Sequence, residues 1–292
     1  ARLAKRAVPE RNVFGVARFS EPGLREKLEN WGVTGIKADL LDEQQLRKLP
    51  HAKNIIFMAG RKFGSSGAED LTWAMNVYCP ALVARAFPEQ RIVSLSTACV
   101  YPFVPVDSGG AVENMPPNPP GEYAQSCVGR ERMFQYFSNR LGTPGCIIRL
   151  SYAIDTRYGV LFDVGRAVFE GRTVDLGMGH VNVIWQGDAN AQILRALKHC
   201  RVPAWPLNVS GPETTSIRWL AAEFGKRFSV DPMLLGEEAE TAWLINTDKA
   251  VELFGNPVIS LAQMIDWVAD WIRQGGETLN KPTNFEVRDG AY

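Results

Sequence analysis

The sequence predicts an α/β protein whose core is a doubly wound parallel sheet, with a smaller mixed region after it. Three observations carry this. Short apolar runs alternate with longer segments whose apolar residues recur at helical spacing. The short runs are nearly continuously apolar, as strands buried on both faces must be. After Ser151 the rhythm breaks into glycine-punctuated turns and then a mostly helical stretch.

The chain opens on residues 1–7 (ARLAKRA), which read as the tail of a helix already under way, so the start reads as a truncation. Strand-like runs follow at residues 12–17 (NVFGVA), 35–40 (GIKADL), 54–60 (NIIFMAG), 91–97 (RIVSLST) and 145–151 (GCIIRLS). Helical spacing marks residues 22–30, 43–49, 68–87 and 122–141 between them. A helix over 158–170 leads to a strand at 181–185, a helix at 188–199 and a strand at 207–211. Residues 261–273 are strongly amphipathic, and the aperiodic tail 277–292 is expected to wrap on the surface. Residues 1–155 thus form one part and 156–292 a second, with 181–211 partly returning to the first.

Composition narrows the function. Lys plus Arg and Asp plus Glu both total 32, so the formal net charge is zero. That removes the usual electrostatic grounds for a nucleic-acid or anionic-membrane partner. No apolar run approaches the roughly 18 residues that cross a bilayer. Five scattered cysteines without CxxC spacing (Cys79, Cys99, Cys127, Cys146, Cys200) read as free thiols of a reducing, cytoplasmic compartment. Three histidines far apart (His51, His180, His199) give no metal-ligand spacing, and no metal is expected.

In a doubly wound sheet, ligands bind at the carboxyl ends of the strands. Arg18 follows the first visible strand, where an acid would hold a ribose 2′-hydroxyl and an arginine a 2′-phosphate; this favours NADP over NAD, the alternative being a solvated arginine. Asp39 and Leu40 end the second strand in a place suited to an adenine edge. Met58, Ala59 and Gly60 end the third, where a small residue lets backbone approach a ligand, or simply makes a tight turn; Lys62 adds charge beside them. No glycine-rich phosphate loop occurs near the N-terminus, and the strand that would precede it, in the middle of the sheet, is missing as well. The fourth strand delivers Ser96 and Thr97, and Tyr123 lies on the next helix. A strand-end hydroxyl and a helix tyrosine can polarise a carbonyl and relay a proton to its oxygen.

The order DL, AG, N, STACVY, YxxxC and RLSYA resembles the extended short-chain dehydrogenase/reductase family, in its NAD(P)-dependent epimerase/dehydratase branch, over nearly the whole chain. The resemblance implies a Rossmann fold, an NAD(P) cofactor and hydride transfer on a hydroxyl or carbonyl of a sugar-like, possibly nucleotide-sugar, substrate. It implies that Thr97 hydrogen-bonds the substrate oxygen, with Ser96 as a possible substitute, and that Tyr123 is the acid/base. Asn76 would support a structural water or backbone carbonyl beneath the site, and Ser151 would border the cofactor. Asn182, Trp185 and Gln186 fall in the variable substrate region, where ordinary packing is the alternative. The helices at 68–87 and 122–141 form the family's usual dimer face, which implies a homodimer.

At position 127 the sequence departs from the family. A lysine is expected four residues after the tyrosine, on the same helix face, and Cys127 stands there. An unshifted tyrosine is ionised only about once in a thousand molecules at pH 7. Three readings follow. Lys62 or Arg130 supplies the missing charge; reduction runs with neutral tyrosine as the donor; or the fold has kept ligand binding without turnover, as a sensor or partner subunit. A Cys127 nucleophile is a fourth, with no histidine nearby in sequence to support it.

Overall fold

Six parallel strands form the central layer of the computed structural model, which describes residues 1–62, 64, 67–281 and 283–290. They are β1 (Phe14–Ala17), β2 (Thr34–Lys37), β3 (Asn54–Phe57), β4 (Arg91–Thr97), β5 (Gly145–Leu150) and β6 (Trp205–Val209). β1 starts two residues later than its run, and β2 and β3 stop three residues before theirs end. Residues 38–40 and 58–60 leave the ladder to build the turns at its carboxyl edge.

Hydrogen bonding divides this layer into two blocks. β1 pairs with β2, while the others pair in the order β6-β5-β4-β3. Among the described residues no ladder joins β1 to β3, so the parallel strands expected from the sequence are hydrogen-bonded as two blocks.

The helices are α1 (Arg2–Ala7), α2 (Leu24–Glu29), α3 (Glu43–Leu46), a composite α4, α5 (Glu122–Leu141), α6 (Val160–Phe169), α7 (Gln186–Ala196), α8 (Ile217–Phe228), α9 (Asp248–Phe254) and α10 (Leu261–Arg273). The composite α4 runs from Glu69–Trp73 through a π-helical turn, Ala74–Tyr78, into Cys79–Ala86. Pro80 has no N–H to give the preceding turn, and the widened π geometry sits directly before it. α5 ends on Gly142 at φ 75°, the left-handed cap that glycine adopts without a Cβ clash. α10 begins with a reciprocal capping box between Ser260 and Gln263.

One apolar cluster joins the sheet to α4 and α5 through Phe57, Leu82, Val83, Phe134 and Ile147. A second covers the opposite face through Val93, Ile148, Ile193 and Phe254 from α7 and α9. Helices on both faces make the layer doubly wound. The third cluster fills the C-terminal region, where α6, α8 and α10 bring together Phe162, Leu220, Phe224 and Val268.

Two expectations for the second half are corrected. The strand expected at 181–185 is two short strands, His180–Val181 and Ile184–Trp185, paired to Thr215–Ser216 and Ala153–Ile154 respectively. The backbone changes partner at Asn182, whose side chain binds other backbone instead. The tail is on the surface only in part: residues 277–281 are mostly exposed, while Phe285 is only 7% exposed and Thr283 only 3%.

A buried polar cluster fixes α5 to the sheet. Arg149 meets Glu131 at 2.7 Å, their side chains 3% and 0% exposed. Burying such a pair is tolerable only when its remaining hydrogen-bonding groups are satisfied. Ser96 donates to Glu131 at 2.6 Å, and Arg149 donates to the Tyr101 hydroxyl at 2.7 Å and the Glu113 carbonyl at 3.1 Å. Tyr101 donates onward to Asn208 at 2.9 Å.

Candidate active site

The parallel register brings the strand ends to one edge. Phe57 pairs with Ser94 and Thr97 with Leu150, so the turn after β3, Thr97 and Ser151 lie along the carboxyl side of the same block. Helix α5 starts just beyond Gly121 and carries Tyr123, Cys127 and Arg130 at spacings that share a face.

The Tyr123 hydroxyl hydrogen-bonds the Cys127 sulfur. Burial pushes the Tyr123 pKa well above the ordinary tyrosine value; Cys127 and Cys99 push the same way and Arg130 pulls it down. Burial also pushes the fully buried Cys127 thiol up to about 11. Both groups therefore carry their protons at neutral pH, and Tyr123 is poised as a neutral donor.

A cation from another element acts on Cys127. Lys62, in the turn after β3, is pushed down in pKa by burial, and Cys99 and Cys127 are the groups that partly restore it. Its ammonium donates to the Thr283 carbonyl at 3.5 Å. Arg130 lies on the tyrosine's helix face, but its guanidinium is held by the Leu95 carbonyl at 2.8 Å and by the Asn76 side-chain oxygen. Its charge is felt by Tyr123 and Cys127, while its two terminal nitrogens hold the scaffold and its buried Nε has no partner among the described residues.

Asn76, fully buried in the π turn, accepts from the Arg61 amide and donates to the Arg61 carbonyl, both at 2.8 Å. It also donates to Ser126 at 2.9 Å, and Ser126 donates to the Tyr123 carbonyl at 2.7 Å. One amide thus ties the Lys62 turn to the first turn of the tyrosine helix. Gly60 is small for a reason different from the ligand approach read in the sequence. A Cβ there would stand 2.3 Å from the Arg130 guanidinium and 3.0 Å from the Asn76 side-chain oxygen.

Thr97 ends β4 and accepts from the Cys99 amide at 3.2 Å, which holds its hydroxyl at the strand end. Ser96 points to the other face, as alternation along a strand requires. Its hydroxyl is bound to Glu131, so its reading as a substitute for Thr97 is corrected. Ser151, one residue past the partner of Thr97, has a buried hydroxyl with no hydrogen-bond partner among the described residues. An orphaned buried hydroxyl at a ligand-binding edge is the kind of group a bound molecule satisfies.

The remaining predicted residues are spread along the edge. Arg18 is exposed after β1. The Asp39 carboxylate accepts from the Leu41 amide at 3.0 Å, and Leu40 packs partly into the core below. Met58 is 58% exposed and Ala59 half-buried. Asn182 is corrected from substrate contact to a clamp: it donates to the Glu213 carbonyl at 3.0 Å, accepts from the Ile245 amide at 2.9 Å and is buried. Trp185 packs edge-to-face on Trp267 with centroids 5.1 Å apart, and Gln186 is exposed at the start of α7.

Sequence reasoning missed three participants. Cys99 acts on the tyrosine, the lysine and Tyr152, and the only signal of Cys99 and Tyr152 was adjacency to Thr97 and Ser151. Thr283, which meets Lys62, left no local signal at all.

This architecture is that of the solved nucleotide-sugar epimerases. The chain superimposes on the UDP-glucose 4-epimerase of Thermotoga maritima solved with UDP-glucose (TM-score 0.76, 15% identity, 94% of each chain covered). It is similar to the UDP-glucuronic acid 4-epimerase of Bacillus cereus in complex with UDP-glucuronic acid and NAD (TM-score 0.76, 18% identity, 94% of each chain). A third is the Thermus thermophilus UDP-glucose 4-epimerase with NAD (TM-score 0.75, 17% identity, 93% of this chain and 94% of that one). No curated protein matches the sequence significantly. The chain belongs to the NAD dependent epimerase/dehydratase family, whose profile matches residues 1–158, more than half of its length.

Proposed function

We propose that the protein transfers hydride between a nicotinamide dinucleotide and a hydroxyl or carbonyl carbon of a nucleotide sugar. Residues 1–155 would form the dinucleotide half and 156–292 the substrate half. The observation that carries this reading is Tyr123, which keeps its proton at the start of α5, together with Thr97 at the end of β4 and a half-buried Lys62 that acts on Cys127. Thr97 orients the reacting oxygen through its hydroxyl, and Tyr123 gives or takes the proton on that oxygen. Lys62 supplies the positive charge that position 127 lacks, and Asn76 positions the turn that delivers it. The orphaned Ser151 hydroxyl fits a dinucleotide at this edge, which Asp39, Leu40, the 58–60 turn and Lys62 would also hold. When bound, the nicotinamide supplies the hydride acceptor or donor.

The Bacillus cereus and Thermus thermophilus structures named above contain NAD. The exposed Arg18 favours NADP, and the ratio of the two dissociation constants decides between them. We place the protein in the cytoplasm as a homodimer through α4 and α5, whose exposed Trp73, Tyr78 and Tyr136 offer an apolar face. No helix among the described residues is long and apolar enough to cross a membrane.

The deciding experiment titrates NADH and NADPH by fluorescence, then assays turnover of UDP-glucose and UDP-glucuronic acid. Binding and turnover that vanish together in a Tyr123→Phe series would indicate a folding defect. Retained binding with lost turnover is the expected result. Binding without turnover in the unsubstituted protein would instead favour a sensor or partner subunit.

A further inference from the structure

Residues 283–290 run beside the candidate site, from Lys62 to the residue that opens α5. Thr283 donates its amide and hydroxyl to Asp163 at 2.9 and 2.6 Å, at the start of α6, while its carbonyl accepts from Lys62. Phe285 is buried in the C-terminal core, and Glu286 is among the charges acting on Tyr152. Arg288 donates to the Thr241 carbonyl and hydroxyl, each at 2.8 Å, with its guanidinium 4.1 Å from the centre of the Phe103 ring. Gly290 then lies on the residue that opens the tyrosine helix: a Cβ on Gly121 would stand 2.5 Å from the Gly290 carbonyl oxygen.

The segment therefore starts on the lysine, passes Tyr152 and ends on the first turn of α5. It forms no strand or helix, and side-chain hydrogen bonds and one apolar anchor hold it. Asn284 takes a left-handed φ of 52°, an uncommon conformation for a residue with a Cβ. Segments held in this way open at far lower cost than the sheet beneath them.

We propose that residues 283–290 are an autoinhibitory strap, seated across the substrate side of the site, which must lift before a substrate reaches Tyr123. In the closed position the Thr283 carbonyl holds the Lys62 ammonium. The strap rests on the reading of Tyr123 and Lys62 as neighbours of the reacting centre, and its test can be separated from that reading.

The test compares the full chain with a Thr283→Ala/Arg288→Ala variant. Acetylation of Lys62 by a water-soluble succinimidyl ester is followed by peptide mapping, alongside turnover of UDP-glucose with NAD. Lys62 should react at least fivefold faster in the variant, and turnover at low substrate should rise severalfold. If the variant is poorly folded by thermal denaturation, Asp163→Asn weakens the same anchor with little change of shape and should act in the same direction. Unchanged Lys62 reactivity in a folded variant overturns the strap alone, as does faster acetylation with reduced turnover, which would make the segment a fixed wall of the site. Faster acetylation with no turnover in any form supports the strap and overturns the enzyme reading.

Discussion

The Tyr123 hydroxyl and the Cys127 sulfur are hydrogen-bonded across one turn of α5, in the place where the family brings a lysine to its tyrosine. A thiol that keeps its own proton is a weak donor and brings no positive charge to tyrosinate, and burial raises the tyrosine further. The chemistry open to Tyr123 at neutral pH is therefore proton donation.

The direction of the reaction should depend on pH accordingly. Below its pKa the protonated tyrosine predominates, so reduction of a carbonyl should be flat from pH 7 to 9. Oxidation needs the ionised form, whose fraction rises about tenfold per pH unit until the pKa is reached. Initial rates in both directions check this, and an oxidation plateau below pH 9 would contradict the raised pKa.

Lys62→Met should slow oxidation by about 10- to 100-fold, one or two pKa units of lost stabilisation of tyrosinate at about 1.4 kcal/mol each. Reduction should change less. Equal loss in both directions would show that Lys62 holds ligand rather than charge. An unaltered rate would retire it from the site.

Tyr123→Phe removes the proton donor and leaves the ring. Turnover should fall by about 10²- to 10⁴-fold, while NADH affinity, measured by fluorescence, stays within about twofold.

Gly60→Ala forces a methyl group against the Arg130 guanidinium and the Asn76 amide. Both belong to the clamp under the Lys62 turn, so a cost of about 1–3 kcal/mol in urea unfolding is expected. Weaker dinucleotide binding should accompany it.

Glu131→Gln leaves Arg149 buried with a neutral partner and should cost about 3–5 kcal/mol. Replacing both, as Glu131→Leu with Arg149→Met, should cost less than the single change, because no uncompensated charge remains. Equilibrium unfolding of the three variants measures the difference.

Strong period made some elements legible from sequence. The reading bounds Arg91–Thr97, Glu122–Leu141 and Leu261–Arg273 as the structure has them: the strand is nearly continuously buried, and the helices keep their apolar residues at helical spacing. Partner choice was not legible. Ser96 looks like a site hydroxyl until Glu131, 35 residues away, folds against it. Asn182 looks like a substrate contact until two distant backbone groups claim it. Gly60 signalled a close approach, but the approaching group is the chain's own arginine. The tail has no period, and its burial depends on one phenylalanine and on hydrogen bonds to residues more than a hundred positions away.

The division of the strands into two blocks has a kinetic consequence. Hydrogen-bond ladders transmit cooperativity between neighbouring strands, and none of the described ladders crosses from β1 to β3. The β1–α2–β2 unit should then behave as a separate foldon, exchanging its amide hydrogens by sub-global opening while β4 and β5 exchange only with the whole molecule.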